Sequence, residues 1–122
     1  MKFFFSIIIP TYNVKNIIKQ CINSVTQQKR TNIEILIIND NSTDGSLEVC
    51  KTEAEKNKVI RVINNKKNLG VSITRNKGIA KAKGKYLIFL DFGNKFSIFF
   101  EILQIFEIFQ ISEINFQYFG KF

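Results

Sequence analysis

The run from Ile33 to Ile38 constrains this chain most, because it is almost wholly β-branched and then gives way abruptly to polar residues. Ile33, Ile35, Leu36, Ile37 and Ile38 stand together, and Asn39-Asp40-Asn-Ser-Thr-Asp44-Gly45-Ser46 follows. A near-continuous apolar run fits a central parallel strand buried on both faces; a half-exposed strand would alternate. The polar residues cannot share that interior, so 39–45 reads as the loop at the strand's carboxyl end, with a helix after it. Ligands of open α/β sheets bind at that edge. Asp40 is therefore the first candidate functional residue.

The same pattern recurs along the chain. Phe3 to Ile9 reads as a first strand stopped by Pro10. Thr11-Tyr12-Asn13 forms the loop at its end, with Asn13 placed as a helix N-cap. Val14, Ile17, Ile18, Cys21, Ile22 and Val25 then recur at helical spacing. Asp44-Gly45-Ser46 opens a second helix with Leu47, Cys50 and Ala54 on one face. Val59 to Ile63 is a short third strand, followed by a polar, basic loop over 64–70. A third helix is predicted from Val71 or Ser72 to about Ala82, with Gly84 at its C-cap. Tyr86 to Leu90 is a fourth strand ending at Asp91. This β-α-β-α-β-α-β order predicts an α/β fold: a Rossmann-like parallel sheet, helices on both faces, right-handed crossovers.

Composition narrows the function classes. The chain has no histidine, which excludes Ser-His-Asp triads and histidine metal sites. Its two cysteines, Cys21 and Cys50, form no Cys-x-x-Cys and fall on apolar helix stripes, so they read as buried free thiols of a reducing, cytoplasmic protein. The net charge is +8, and the ten Lys or Arg from Lys56 to Lys85 meet no Asp or Glu. Such a segment is either a solvated face or a surface for an anionic partner. Nucleic acid is the weaker partner, since no aromatic interleaving or reading helix accompanies the charge. The apolar N-terminus is too short, and lacks the small-residue cleavage site, for a signal peptide.

From residue 95 the character changes. Residues 101–118 hold an approximate six-residue repeat, Glu-Ile-Leu-Gln-Ile-Phe and variants, which matches neither helix nor strand period. Glu101, Glu107 and Glu113 interrupt it too often for a membrane span. The division is a domain over 1–94 and a low-complexity apolar tail over 95–122, with weak helical preference, suited to a membrane surface or protein partner.

If the carboxyl ends of the strands line one edge, Thr11, Asn13, Asp40, Asp44 and Asp91 converge there. An ionised aspartate accepts hydrogen bonds from ribose hydroxyls and base N–H groups and binds metal ions. Arg75, near the start of the third helix, suits a phosphate together with that helix's free N–H groups. Capping and turn formation account equally well for Asp40 and Asp44. The Gly-x-Gly-x-x-Gly fingerprint and the P-loop are both absent, as is the acidic pair of a phospho-acceptor receiver.

Five blocks carry a family resemblance: Ser6-Ile-Ile-Ile-Pro-Thr-Tyr-Asn13, Cys21-Ile-x-Ser24-x-x-x-Gln28, Asp40-Asn-Ser-Thr-Asp-Gly-Ser46, Asn68-x-Gly-Val-Ser-x-x-Arg-Asn-x-Gly78 and Gly84-Lys-Tyr-Leu-x-Phe-Leu-Asp91. In order and spacing they resemble the N-terminal half of the family 2 inverting glycosyltransferases. The resemblance implies a GT-A nucleotide-sugar-binding fold, with a UDP-sugar as partner and cell-surface polysaccharide synthesis as setting. It implies that Thr11, Tyr12 and Asn13 lie against the base, that Asp40 binds it, and that Arg75 contacts the nucleotide. It implies that Asp91 is the first carboxylate of an Asp-x-Asp motif near ribose and a Mn or Mg ion. Here the motif reads Asp91-Phe92-Gly93-Asn94, and Gly93 offers no side-chain oxygen, so a cation site of Asp91 alone is expected to be weak. Residues 95–122 resemble nothing of the acceptor-binding half, which supplies the general base. The expectation is therefore a truncated, impaired glycosyltransferase, cytoplasmic or peripheral at the inner face of the membrane. The alternative is a non-catalytic nucleotide-binding remnant or an interaction subunit using its Phe/Ile-rich tail.

Overall fold

Four parallel strands and three helices alternate: β1 (Phe5–Thr11), α1 (Lys15–Thr26), β2 (Ile33–Asn39), α2 (Ser46–Lys56), β3 (Ile60–Asn64), α3 (Val71–Lys81) and β4 (Tyr86–Phe89). This computed structural model describes residues 5–27 and 32–90. The expectations for Phe3, Phe4, Asp91, Gly93 and the tail over 95–122 lie outside the described residues.

The sheet order is β3-β2-β1-β4, all parallel. Strand order therefore reverses after β3. If every crossover is right-handed, that reversal sends α3 to the face opposite α1 and α2. The packing agrees. Phe5, Ile7 and Ile9 of β1 and Ile33, Ile35 and Ile37 of β2 meet Ile18, Cys21, Ile22 and Val25 of α1 and Cys50 of α2. Ile8, Leu36 and Ile38 form a smaller cluster on the other face. The odd–even split is the period-2 alternation of a strand, and both parities are apolar because both faces are covered.

On that second face α3 comes close through a gap rather than through bulk. Its buried residues are Thr74 and Gly78. A Cβ on Gly78 would stand 2.5 Å from Ile8 Cγ2, so only glycine lets the helix approach so near.

Three local expectations need correction. Pro10 does not stop β1, which continues to Thr11. Ile8 accepts the Leu90 N–H, and Thr11 accepts that of Asp40, so even-numbered residues of β1 face β4 and odd-numbered ones face β2. The N–H that Pro10 lacks therefore falls on the β4 side, beyond the Ile8–Phe89 pair that ends the described ladder. Asn39, read as the start of the loop, is the last residue of β2, and both Asn39 and Asp40, expected outside the interior, are only 1% and 4% exposed. Gly84 does not close α3, whose C-cap is the extended Ala82. Its role is close approach: a Cβ there would stand 2.6 Å from the Ser6 backbone nitrogen.

Glu34 interrupts the apolar β2 run but is buried with it, at 1% exposure. Its carboxylate accepts from Ser6 Oγ at 2.6 Å, from the Lys83 N–H at 2.5 Å and from Arg61 Nη1 at 3.2 Å. Ser6 Oγ in turn accepts the Gly84 N–H at 2.7 Å. This network ties the turn into β4 to the two central strands, at the end of the sheet away from the carboxyl edge.

Candidate functional site

At the carboxyl edge the ends of β1 and β2 and the start of α3 enclose a cleft of about 310 Å³. Thr11 and Tyr12 line it from β1, Asp40 from β2, and Gly70, Val71 and Thr74 from α3. The topology explains the opening. α1 and α2 leave β1 and β2 over one face, whereas the chain leaving neighbouring β3 crosses to the other face as α3, so the connections part above the sheet and leave a crevice.

Asp40 is the hub. Its Oδ1 accepts from Asn65 Nδ2 at 2.9 Å and from the Leu69 N–H at 2.8 Å; its Oδ2 accepts the Gly70 N–H at 3.0 Å. Asn68 Nδ2 donates to its backbone carbonyl at 3.2 Å. Burial by itself would push the carboxyl up, but bonds from Asn65, Leu69, Gly70 and the Thr74 side chain outweigh it and hold the group below the ordinary carboxylate value. A carboxylate offers about four acceptor positions. Three take N–H donors from within the chain, and the Thr74 hydroxyl stands close to the same carboxylate; Oδ2, with a single N–H, is the oxygen beside cleft-lining Gly70.

Tyr12 is 50% exposed and lines the cleft. Thr11 is 1% exposed, and its hydroxyl donates to the Ile9 carbonyl at 3.1 Å, so it shapes the floor. Asn13 does not cap α1. It sits at φ 51°, its N–H donates to Ser42 Oγ and its Oδ1 accepts the Thr43 N–H at 2.8 Å. The N-cap is Val14, with no cap bond from its own side chain. Asp44 and Ser46 do that work from across the chain: the Lys15 N–H donates to Asp44 Oδ2 at 3.1 Å and the Val14 N–H to Ser46 Oγ at 3.0 Å. Burial raises the Asp44 carboxyl, and the bonds from Ser46 and Lys15 more than reverse that. The loops after β1 and β2 are thus joined, and Tyr12 stands on the junction.

Of the residues singled out in the sequence, the structure brings Thr11, Tyr12 and Asp40 to one cleft. Asn13 and Asp44 lie behind it and brace the loops. Arg75 is half-buried on α3 and is not among the lining residues. Asp91 lies outside the described residues. Sequence reading missed Asn65, Asn68, Gly70 and Thr74. Asn65 carried a usable signal, since it follows the apolar β3 run as Asp40 follows β2.

Among the described residues no three His, Cys, Asp or Glu side chains group to hold a metal ion. Asp40 is the only carboxylate among the described lining residues, and three N–H donors already occupy it. These residues do not fit a divalent cation. No helix among the described residues is long and apolar enough to cross a membrane.

The sequence profile of Glycosyl transferase family 2 matches residues 6–92, which takes in the sheet apart from Phe5 and the whole cleft lining. The chain belongs to this family. Glycosyltransferase GlyA of Streptococcus pneumoniae is 41% identical over 86 residues, 70% of this chain and 12% of that protein. Staphylococcus aureus TarS 1–349, solved in complex with UDP-GlcNAc, superposes with a TM-score of 0.66 at 31% identity, over 85% of this chain and 31% of that one. The mannosyltransferase PcManGT of Pyrobaculum calidifontis, solved with GDP-Man and Mn2+, shares the fold with a TM-score of 0.65 at 20% identity, over 73% of this chain and 28% of that one. The chain therefore spans about an eighth of GlyA and about a third of the solved structures, and the fold is the α/β GT-A type.

Proposed function

We propose that this chain is the nucleotide-diphosphate-sugar-binding half of a family 2 glycosyltransferase, with a UDP-sugar as ligand. The observation that carries the reading is Asp40, a cleft-lining carboxylate whose Oδ2 takes a single N–H, in the same cleft as exposed Tyr12. An ionised carboxylate can accept but not donate. It therefore suits uracil, whose N3–H is a donor, and opposes cytosine, whose N3 is an acceptor. Tyr12 offers a stacking face for that base. The N-terminal turn of α3 has no side-chain cap, so the N–H groups of Val71, Ser72 and Ile73 point out of the helix end beside the cleft, suited to a diphosphate. Family membership and the TarS complex with UDP-GlcNAc support this choice.

The sugar-transfer step itself, an inverting displacement by an acceptor hydroxyl, needs a general base that the described residues do not place in the cleft. The chain's own part in the reaction is recognition and orientation of the donor. The cation that the family resemblance implies would be held by Asp91 alone and weakly, since Gly93 offers no side-chain oxygen.

Isothermal titration of the full chain with UDP, CDP and GDP tests the proposal. UDP should bind, and CDP should bind at least about tenfold more weakly, the scale of one hydrogen bond to a charged group lost. No binding of UDP at millimolar concentration, or equal affinity for UDP and CDP, would overturn it.

A further inference from the structure

Asn65 does not line the cleft, yet its polar atoms are all spent on residues that do or on residues that hold them. It is fully buried at 0% exposure. Its Nδ2 donates one hydrogen to Asp40 Oδ1 at 2.9 Å and the other to Thr74 Oγ1 at 3.1 Å. Thr74 passes its hydroxyl hydrogen to the Gly70 carbonyl at 2.7 Å. The Asn65 Oδ1 accepts from Lys77 Nζ at 2.9 Å, and its backbone N–H donates to the Asn39 carbonyl. The amide orientation is thereby fixed from both sides. A flipped amide would aim oxygen at the Asp40 carboxylate and NH2 at the Lys77 ammonium, and both contacts would repel.

Resting on the nucleotide reading above, we infer that Asn65, oriented by Lys77, is a positioning residue that selects which acceptor position of Asp40 faces the nucleotide base. Two N–H donors on Oδ1 against one on Oδ2 make Oδ2 the less occupied oxygen of this cleft-lining carboxylate. Without the Asn65 donor the carboxylate can rotate toward the Leu69 and Gly70 amides and withdraw that oxygen. The charged and titratable groups on the segments around Asp40 are Lys77 and Arg75 on α3, Lys66 and Lys67 on the 65–70 loop, Asp44 on the loop after β2 and Tyr12 just after β1; the ends of β2 and β3 contribute neutral Asn39, Asn64 and Asn65.

The test is Asn65→Asp in the full chain, with UDP affinity followed by calorimetry from pH 5 to pH 8 beside the wild type. The variant puts a second carboxylate against Asp40. Two carboxylates in such contact share one proton, and the pair repels once that proton leaves. The ratio of variant to wild-type affinity should stay within about threefold at pH 5 and fall by about tenfold or more by pH 8, as the like-charge contact opens. A variant affinity that stays within about threefold of the wild type from pH 5 to pH 8 overturns the role of Asn65 while leaving the nucleotide reading intact. Absence of UDP binding by the wild type overturns both. Should Asn65→Asp not fold, Lys77→Met at its half-buried position carries the same question. Its UDP affinity should fall at least about threefold with the urea midpoint retained, since a neutral partner no longer fixes the amide. Unchanged affinity would overturn the inference.

Discussion

Gly84→Ala tests the tightest contact in the fold. The added Cβ would stand 2.6 Å from the Ser6 nitrogen, 2.6 Å from Ser6 Oγ and 2.7 Å from the Phe5 carbonyl carbon. These are mostly backbone atoms of a central strand, so the turn over 83–84 has to lift away. Forcing one carbon into a packed site costs about 1–3 kcal/mol. Lifting the turn also weakens two buried bonds, Gly84 N–H to Ser6 Oγ at 2.7 Å and Lys83 N–H to Glu34 at 2.5 Å. Each is worth about 1 kcal/mol or somewhat more, because one acceptor is a carboxylate. The expected loss is about 3 kcal/mol, a large share of the ~5–10 kcal/mol that a domain of this size holds. In urea, with a slope near ~1 kcal/mol/M, the midpoint should fall by about 3 M or the variant should be unfolded in buffer. Lys83→Ala is the control: its side chain is exposed and its backbone N–H remains, so its midpoint should shift by less than about 0.5 kcal/mol equivalent. A Gly84→Ala loss below about 1 kcal/mol would refute the close-approach argument.

Three further outcomes follow from the same coordinates. Asp40 and Asp44 both have carboxyls held below the ordinary value, so their stabilisation is complete above the unfolded pKa and is lost as pH falls through the folded one. The urea midpoint should be level from pH 7 to pH 5 and drop below about pH 4, and Asp44→Asn should show a shallower drop; an identical acid slope in the variant would count against the bonding described. Burial pushes the Cys21 thiol up to about 12, and burial with nearby Asp44, Glu48 and Glu53 does the same for Cys50. Both should resist Ellman's reagent at pH 8 until urea is added, and a fast reaction in buffer would contradict their placement. Tyr12→Ala should leave stability within about 0.5 kcal/mol, as expected for an exposed side chain, while UDP affinity falls by about tenfold with the loss of stacking; no change in titration would remove Tyr12 from the site.

The strands and helices were legible because both periods were written plainly. The β2 run of 33–38 has no polar face apart from Glu34, and α1 repeats its apolar residues every three or four positions. Where reading failed, a residue acted through a partner distant in sequence. Asn13 looks like a cap for the helix just after it, yet it serves the loop 30 residues on, and Asp44 returns the service to α1. Pro10 looks like a terminator, but only the facing of its missing N–H decides, and that depends on sheet order. Gly84 looks like a C-cap because glycine often is one. Its cause is the Ser6 backbone, 78 residues away. Local propensity carries no record of such contacts.

The cleft itself was legible only in part, because its hub does two jobs. Asp40 was singled out for ligand recognition, yet three of its bonds hold Asn65 and the start of α3. The motif Asp40-Asn-Ser-Thr-Asp-Gly-Ser46 therefore encodes a joint first and a binding group second. The Asp44 carboxylate takes the Lys15 and Ser46 N–H groups and the Ser46 hydroxyl, and Ser46 Oγ takes the Val14 N–H. A loop welded in this way loses little freedom when a nucleotide arrives, so recognition need not be opposed by ordering entropy. It follows that loss of binding in Asp40→Ala cannot by itself assign a contact, because the same change releases the 65–70 loop. Contact and scaffold separate only where a lining side chain makes no internal bond, and among the lining residues described here exposed Tyr12 comes nearest to that condition.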